Sequence, residues 1–120
     1  MLTATQIGTV GETAVKLHFL KMGYEVFIGD DNTSCDMIVL NTKTNEMKRV
    51  EVKTTRIRTR ADTGWTVGIR KKKRGSHGIP FDNSKVELLV IYVEPVDKII
   101  IFDSKDIKTT CNFIVRDSML

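Results

Sequence analysis

Three residues of the chain have the types and spacing that metal-assisted hydrolysis requires. Asp36 opens a short apolar run, and Glu51 and Lys53 stand two positions apart in a second run. Because alternate residues of a strand share a face, Glu51 and Lys53 are predicted to point to one side, and Val50 and Val52 to the other. Pairing of the two strands would bring Asp36 level with Glu51, and two facing carboxylates repel unless a hard divalent cation lies between them. The predicted cation is Mg²⁺, for which Mn²⁺ can substitute.

A cation at this place has a definite chemical use. Held by Asp36, Glu51 and the backbone carbonyl of Val52, it would polarise a phosphodiester and lower the pKa of a bound water. Lys53 would orient that water or offset charge on phosphorus. The alternative is a plain salt bridge between Glu51 and Lys53 on a strand face. Two neighbouring features favour hydrolysis, namely an acid on the preceding helix, Glu12, and a basic block that follows directly.

The elements that must position these residues can be read from local patterns. Helical periodicity predicts a helix over residues 9–22, with Thr9 as its N-cap, Glu12 in capping-box position and Gly23 as its stop. Strands are predicted at Tyr24–Ile28, 36–40, 47–54, 65–69, 86–93, 98–102 and Asn112–Arg116, with a short helical turn within 103–110. Residues 41–46 are polar turn formers, so the second and third strands are predicted to pair as a hairpin.

Composition limits the classes of protein that the chain can belong to. Its 120 residues are 41% hydrophobic and 28% charged, which predicts one globular domain over residues 1–120 and excludes a fibrous or disordered chain. No apolar stretch approaches the length of a membrane span, and the N-terminus lacks a secretory pattern. Cys35 and Cys111 lack the spacing of zinc ligands. We therefore expect no membrane association and an intracellular location, in the cytoplasm, or the host cytoplasm for a viral protein.

The net charge of +4 hides an uneven distribution. Residues 48–74 carry eleven basic and two acidic side chains, a net charge of +9, whereas the rest of the chain carries −5. Such a block is typical of a surface that binds nucleic-acid phosphates, and the alternative is a solvated basic loop. Trp65 within it either stacks on a base or packs in the core. The predicted DNA-binding residues are Arg49, Thr55, Arg56, Arg58, Arg60, Arg70, Lys71, Lys72, Lys73, Arg74 and His77. If the strand continues past residue 54, Arg56, Arg58 and Arg60 would project to one side.

The pattern of Asp36 followed by Glu51-Val52-Lys53 resembles the signature of the PD-(D/E)XK nuclease superfamily, with Cys35 where the motif has proline. Glu12 is similar to the extra helical acid of that family. Residues 6–12, 20–26 and 53–56 are similar to compact members, including archaeal and phage-type Holliday junction resolvases and intron-encoded homing endonucleases, and the likeness covers about residues 6–108. It implies an α/β (α+β) fold with a restriction-endonuclease-like core: a mixed sheet of about five strands flanked by an N-terminal helix and a short C-terminal helix.

Carried over by position, the resemblance makes Asp36, Glu51 and the Val52 carbonyl metal ligands, Lys53 the catalytic lysine, and Glu12 a further ligand, direct or through water. Glu12 has an alternative role in capping its helix or pairing with Lys16, and Asp30 or Asp31 could replace Asp36 if the strand starts elsewhere. The leading functional prediction is a homodimeric enzyme that cuts four-way DNA junctions. The alternatives are a sequence-specific homing or restriction-type endonuclease and a DNA-binding module without catalysis.

Overall fold

The computed structural model describes residues 1–30, 32–71 and 78–120, which form one long helix and eight strands. Helix α1 spans Ala4–Lys21. The strands are β1 (Tyr24–Ile28), β2 (Met37–Asn41), β3 (Met47–Thr55), β4 (Ile57–Arg58), β5 (Gly64–Gly68), β6 (Leu88–Val93), β7 (Lys98–Asp103) and β8 (Asn112–Arg116). Single 3₁₀ turns follow three strands, at Glu94–Val96, Ser104–Asp106 and Asp117–Met119. The predicted strands are therefore found, with bounds that move by one or two residues.

The larger sheet has five strands in the order β1-β2-β3-β6-β7. Its neighbours are antiparallel except β3 and β6, which run parallel with Val50 opposite Leu88 and Thr55 opposite Val93. Strand β6 is apolar throughout and almost completely buried, as a strand covered on both faces must be. The expected α+β fold with an N-terminal helix and a mixed sheet of about five strands is confirmed. The expected short C-terminal helix corresponds to the 3₁₀ turn Ser104–Asp106.

The start of α1 differs from the prediction, which placed it at Thr9. The N-cap is Thr3, whose Oγ1 accepts a hydrogen bond from the Gln6 N–H at 3.1 Å, while Gln6 Oε1 accepts one from the Thr3 N–H at 2.8 Å. Thr9 lies inside the helix, and its hydroxyl donates to the Thr5 carbonyl. Glu12 is therefore a mid-helix residue, so its alternative role as a capping residue is wrong. The helix stop at Gly23 is confirmed, since this glycine has a φ of +89°.

Helix α1 covers one face of the larger sheet. Val15 and Phe19 are almost completely buried against Val50 and Val52 of β3. One turn earlier, Gly11 brings the helix backbone very close to the sheet, because a Cβ at Gly11 would lie 3.0 Å from the Cβ of Thr54 and closer still to its hydroxyl. This contact sets the height of the helix above β3, and with it the position of Glu12.

Gly11→Ala is expected to destabilise the protein by about 1–3 kcal/mol, because the added methyl overpacks the contact with Thr54. Gly8→Ala is the matched control: a Cβ there meets nothing within 4 Å, so the better helix propensity of alanine should stabilise the fold by about 0.5–1 kcal/mol. Urea unfolding measures both changes. The double variant Gly11→Ala/Thr54→Ala should be more stable than the two single changes predict by addition. Equal effects at Gly8 and Gly11 would contradict the close contact.

A second sheet, which the sequence patterns did not predict, has three strands in the order β4-β5-β8. Its inner side packs Trp65, Val67 and Val115 against the face of the larger sheet opposite α1. The indole of Trp65 lies under the Arg58 guanidinium, 4.7 Å from the ring centroid, so core packing is the observed role of this tryptophan. The prediction that Arg56, Arg58 and Arg60 share one side of a continuing strand is wrong, because β3 ends at Thr55 and the chain then enters the second sheet.

Candidate active site

The predicted catalytic residues line one open cleft. The cleft has a volume of about 730 Å³ and lies between the N-terminal half of α1, the end of β3 and strand β5. Its lining includes all four residues that the sequence predicts to be catalytic, Glu12, Asp36, Glu51 and Lys53, together with Val52. The fold thus brings together residues from one helix, one strand and the residue that precedes β2.

Asp36 is held against β3 by two hydrogen bonds. Its N–H donates to the Val50 carbonyl at 3.0 Å, and its Oδ2 accepts from the Val52 N–H at 2.7 Å. These bonds extend the β2–β3 pairing by one position beyond Met37, where β2 begins. The N–H and C=O of one strand residue point toward the same neighbour, so the Val52 carbonyl lies on the same edge as Asp36. The hairpin predicted from the turn formers therefore brings the Asp36 carboxylate to this edge.

Glu51 and Lys53 lie on one face of β3, as the alternation predicts, with Val50 and Val52 in the core beneath α1. Lys53 Nζ lies 3.4 Å from Glu51 Oε1 and donates a hydrogen bond to the Arg70 carbonyl at 3.0 Å. Glu51 is only 8% exposed. The ammonium is consequently fixed between a buried carboxylate and the segment that follows β5.

The electrostatics of the cleft favour a bound cation. Burial raises the pKa of the Glu51 carboxyl, and the nearby Asp36 carboxylate raises it further, with Lys53 acting in the opposite direction. Burial also raises the pKa of Asp36, although its hydrogen bond from Val52 partly offsets this. Two carboxylates that are costly to ionise together are the arrangement that a divalent cation relieves.

The donor set suits a cation that keeps several waters. In residues 1–30, 32–71 and 78–120, no three His, Cys, Asp or Glu side chains are grouped closely enough to hold a metal ion by themselves. Two carboxylates and a carbonyl oxygen, from Asp36, Glu51 and Val52, are hard oxygen donors of the kind that Mg²⁺ accepts alongside water and phosphate. The residues present therefore fit the predicted Mg²⁺ or Mn²⁺ ion.

Glu12 lies at the mouth of the cleft. It is exposed to solvent on α1, and its pKa is raised first by partial burial and then by the Asp36 carboxylate, while Lys53 lowers it. Glu12 is thus within electrostatic reach of both residues, whereas it forms no ion pair with Lys16 among the described residues. The geometry favours a role of Glu12 at the site over a purely local role on the helix.

Some of the predicted DNA-binding residues rim this cleft. Arg56, Arg70 and Lys71 line it. Arg56 is also paired with Glu94 at 2.9 Å, and Lys71 Nζ donates to the Thr33 carbonyl at 3.4 Å. Thr55 lines the cleft too, but it is buried and its hydroxyl donates to the Thr66 carbonyl at 2.6 Å. The geometry assigns Thr55 to linking β3 with β5.

Other members of the predicted set lie elsewhere. Arg49 forms an ion pair with Glu87, and Arg58 pairs with Asp62 and Asp117. Among the residues that the structure describes, the lining of the cleft includes neither these arginines nor Arg60. The predicted DNA-binding residues Lys72, Lys73, Arg74 and His77 lie outside the described residues, as does the alternative ligand Asp31. Asp30, the other alternative, caps its own loop by accepting from the Asn32 N–H.

The cleft also has lining residues that the sequence did not single out. Ile57, Thr66 and Gly68 belong to the second sheet and form part of the wall. Their only local signal is the short apolar run around Trp65, because the strand that completes the sheet, β8, lies at the far end of the chain. The sequence of either strand alone does not indicate that two strands so far apart in the chain pair with each other.

Comparison with known proteins shows the fold. No protein-family model matches the sequence, and no curated protein matches it either. Among solved structures, a bacterial homing endonuclease, I-Ssp6803I, is similar with a TM-score of 0.80 and 18% sequence identity, over 97% of this chain and 80% of that chain. In the parts of the chain that the structure describes, no helix has the length and apolar character needed to cross a membrane.

Proposed function

We propose that the chain is a metal-dependent DNA endonuclease of the PD-(D/E)XK type that cuts duplex DNA at preferred sequences. The observation that carries the proposal is the convergence of Asp36, Glu51 and Lys53 in one basic-rimmed cleft. The similarity of the fold to that of a bacterial homing endonuclease supports the same chemistry. The proposed reaction is hydrolysis of a phosphodiester bond.

Each residue of the cleft has a role in this reaction. Asp36, Glu51 and the Val52 carbonyl would hold Mg²⁺ or Mn²⁺, which when bound supplies Lewis-acid polarisation of the phosphodiester and activation of water. Lys53, fixed between Glu51 and the Arg70 carbonyl, orients the attacking water and offsets negative charge that develops on the phosphoryl oxygens. Glu12, at the mouth of the cleft, accepts a hydrogen bond from water that enters the site.

The basic rim supplies the contacts that position DNA. Arg70 and Lys71 would bind phosphates beside the scissile bond, because charge-assisted contacts to phosphate fix register without reading sequence. Arg49, Arg56 and Arg58 already have carboxylate partners, so they are weaker candidates for this role.

The sequence predicts a junction resolvase first and a homing-type endonuclease as the alternative, and we propose the alternative. The similar structure carries the name of a homing endonuclease, and the second sheet adds surface beside the cleft that a bare catalytic core would not need. A junction substrate and a homodimer stay predictions. The gel assay described next includes a four-way junction and so tests the substrate.

A gel assay tests the proposal with four substrates in Mg²⁺ or Mn²⁺: a randomised duplex library, a four-way junction, a flap and a single strand. We expect cleavage of a subset of duplexes, with the preferred sites read by sequencing of the products. Cutting of junctions whose arms have arbitrary sequence would favour the resolvase. Binding of DNA with no cleavage of any substrate would favour the non-catalytic binding module.

A further inference from the structure

The outer face of the second sheet carries large apolar side chains that are open to solvent. Ile57 is 66% exposed and Ile114 is 52% exposed. The strand register places Ile57 opposite Thr66 and Thr66 opposite Ile114, so the three side chains form one row across β4, β5 and β8. The next row, Arg58, Trp65 and Val115, points inward. Apolar side chains that share one exposed face and are rimmed by polar residues are typical of an interaction site.

Polar groups flank this row on the same face. Asn112 and Arg116 are two positions before and after Ile114 on β8, and both are exposed. Among the described residues, Arg116 forms no ion pair, in contrast to Arg58 in the inner row. A Cβ at Gly68, beside Asn112, would meet nothing within 4 Å, so the space above the strand is open there. The face therefore offers an amide, a guanidinium, a hydroxyl and two apolar groups.

This face is continuous with the cleft. Ile57, Thr66 and Gly68 belong to this face and also line the cleft that holds Asp36 and Glu51. The outer face of the second sheet and the cleft therefore form one continuous surface. A DNA strand bound by Arg70 and Lys71 at the cleft rim would bring the neighbouring base pairs over the sheet. Continuity and positive charge favour DNA as the occupant over a second copy of the chain.

The dimensions and chemistry suit the major groove of DNA. Strands β5 and β8 have five residues each and pair antiparallel, and the major groove admits a two-stranded ribbon of this kind. There, isoleucine methyl groups can contact the C5-methyl of thymine, asparagine pairs with adenine, and arginine pairs with guanine. The ribbon carries Asn112, Ile114 and Arg116, and Ile57 of the two-residue strand β4 lies beside it on the same face. Side chains of these types on one face can read sequence, whereas the phosphate contacts cannot.

We infer that the outer face of β4, β5 and β8 is the base-reading surface of the protein, with Ile57 and Ile114 contacting thymine methyl groups in the major groove next to the cut. The inference rests on the proposed function, because it takes duplex DNA as the ligand of the cleft. It gives the substrate class as a duplex with A·T pairs at defined distances from the scissile bond.

The test first selects duplexes that the full-length protein binds from a randomised library without Mg²⁺. Each thymine of the selected site is then replaced by uracil, which removes only the methyl group. Wild type should lose about fourfold in affinity at each contacted position, the value of one buried methyl group. Ile57→Ala and Ile114→Ala should each become insensitive to uracil at one position.

Ile28→Ala is the matched control, because Ile28 is 58% exposed on β1, at an edge of the larger sheet. This variant should respond to uracil as the wild type does. Uracil responses that are equal in the wild type and in Ile57→Ala and Ile114→Ala would overturn the inference, as would self-association of the wild type that these variants abolish. Circular dichroism confirms that each variant is folded.

The outcomes separate this inference from the proposed function. Cleavage of duplex DNA with unchanged site selection in both variants would support the proposed function and overturn the inference about the base-reading surface. Altered site selection in both variants, together with no cleavage by the wild type in Mg²⁺ or Mn²⁺, would support the base-reading surface and overturn the proposed function. Failure of the wild type to bind any DNA would overturn both.

Discussion

Glu51→Gln should lose at least about 100-fold in Mg²⁺-dependent cleavage and yet unfold at a higher temperature than the wild type. Glutamine keeps the shape of the side chain and one oxygen, but it removes the negative charge that would hold the cation. The same charge is a cost to the fold, because Glu51 is only 8% exposed and lies beside the Asp36 carboxylate. Activity and stability therefore change in opposite directions.

The stability difference depends on pH with a definite sign. The pKa of Glu51 in the folded protein is raised above its ordinary value of 4.5, chiefly by burial. The folded state therefore binds this proton more tightly than the unfolded chain, so the wild type loses stability as pH rises from about 4.5 through the folded pKa. Wild type and Glu51→Gln should differ little below pH 4.5 and most above the folded pKa.

Glu87→Gln is the matched control. The Arg49 guanidinium holds the pKa of Glu87 below its ordinary value, so ionised Glu87 stabilises the fold, an effect that is lost as pH falls through the folded pKa. This variant should unfold at a lower temperature than the wild type at neutral pH and cleave DNA normally. Thermal unfolding across pH 4–9 without metal measures both variants. A Glu51→Gln variant that is less stable than the wild type at pH 8 would contradict the carboxylate repulsion.

Lys53→Met should lower the rate of cleavage at saturating DNA by about 100- to 1,000-fold, the usual effect of removing one group that stabilises developing charge. Methionine keeps most of the length of the side chain, but it cannot donate to the Arg70 carbonyl or neutralise a phosphoryl oxygen. The affinity for DNA should change little, because Lys53 is enclosed beside Glu51 and contributes mainly in the transition state.

Lys71→Met is the contrasting variant, since Lys71 rims the same cleft but is exposed. Loss of one phosphate contact should weaken DNA binding and reduce the salt dependence of binding by about one unit of slope, with a smaller effect on the saturated rate. Single-turnover rates at several protein concentrations separate the two parameters. Equal losses of saturated rate in both variants would contradict the special role of Lys53.

Much of the site could be predicted from short-range patterns. Strand alternation places Glu51 and Lys53 on one face, and the polar turn at residues 41–46 pairs β2 with β3, so that Asp36 reaches the Val52 N–H. The start of α1 could not be placed in the same way. Thr9 and Glu12 have the spacing of a capping box, but Thr3 and Gln6 form the real one, because the helix continues for one more turn and a half toward the N-terminus.

The limits of prediction are clearest where distant segments meet. Residues 48–74 form one basic block in the sequence, yet Arg49 pairs with Glu87 and Arg56 with Glu94, carboxylates that lie more than thirty residues away. Strand β5 pairs with β8 in the same way, across most of the second half of the chain. The composition of a short segment does not indicate such distant partners. The charge that remains open to DNA is therefore smaller than the block suggests.

Single-turnover cleavage of a supercoiled plasmid that carries a preferred site, by wild type and Asp36→Asn in Mg²⁺ and in EDTA, tests the assignment of the active site most directly. Asparagine still offers an oxygen to the Val52 N–H, so the β2–β3 edge should be preserved. We predict cleavage by the wild type in Mg²⁺, none in EDTA, and a loss of at least about 100-fold in the variant. Cleavage by Asp36→Asn at the wild-type rate would show that the reaction does not take place at Asp36 and Glu51.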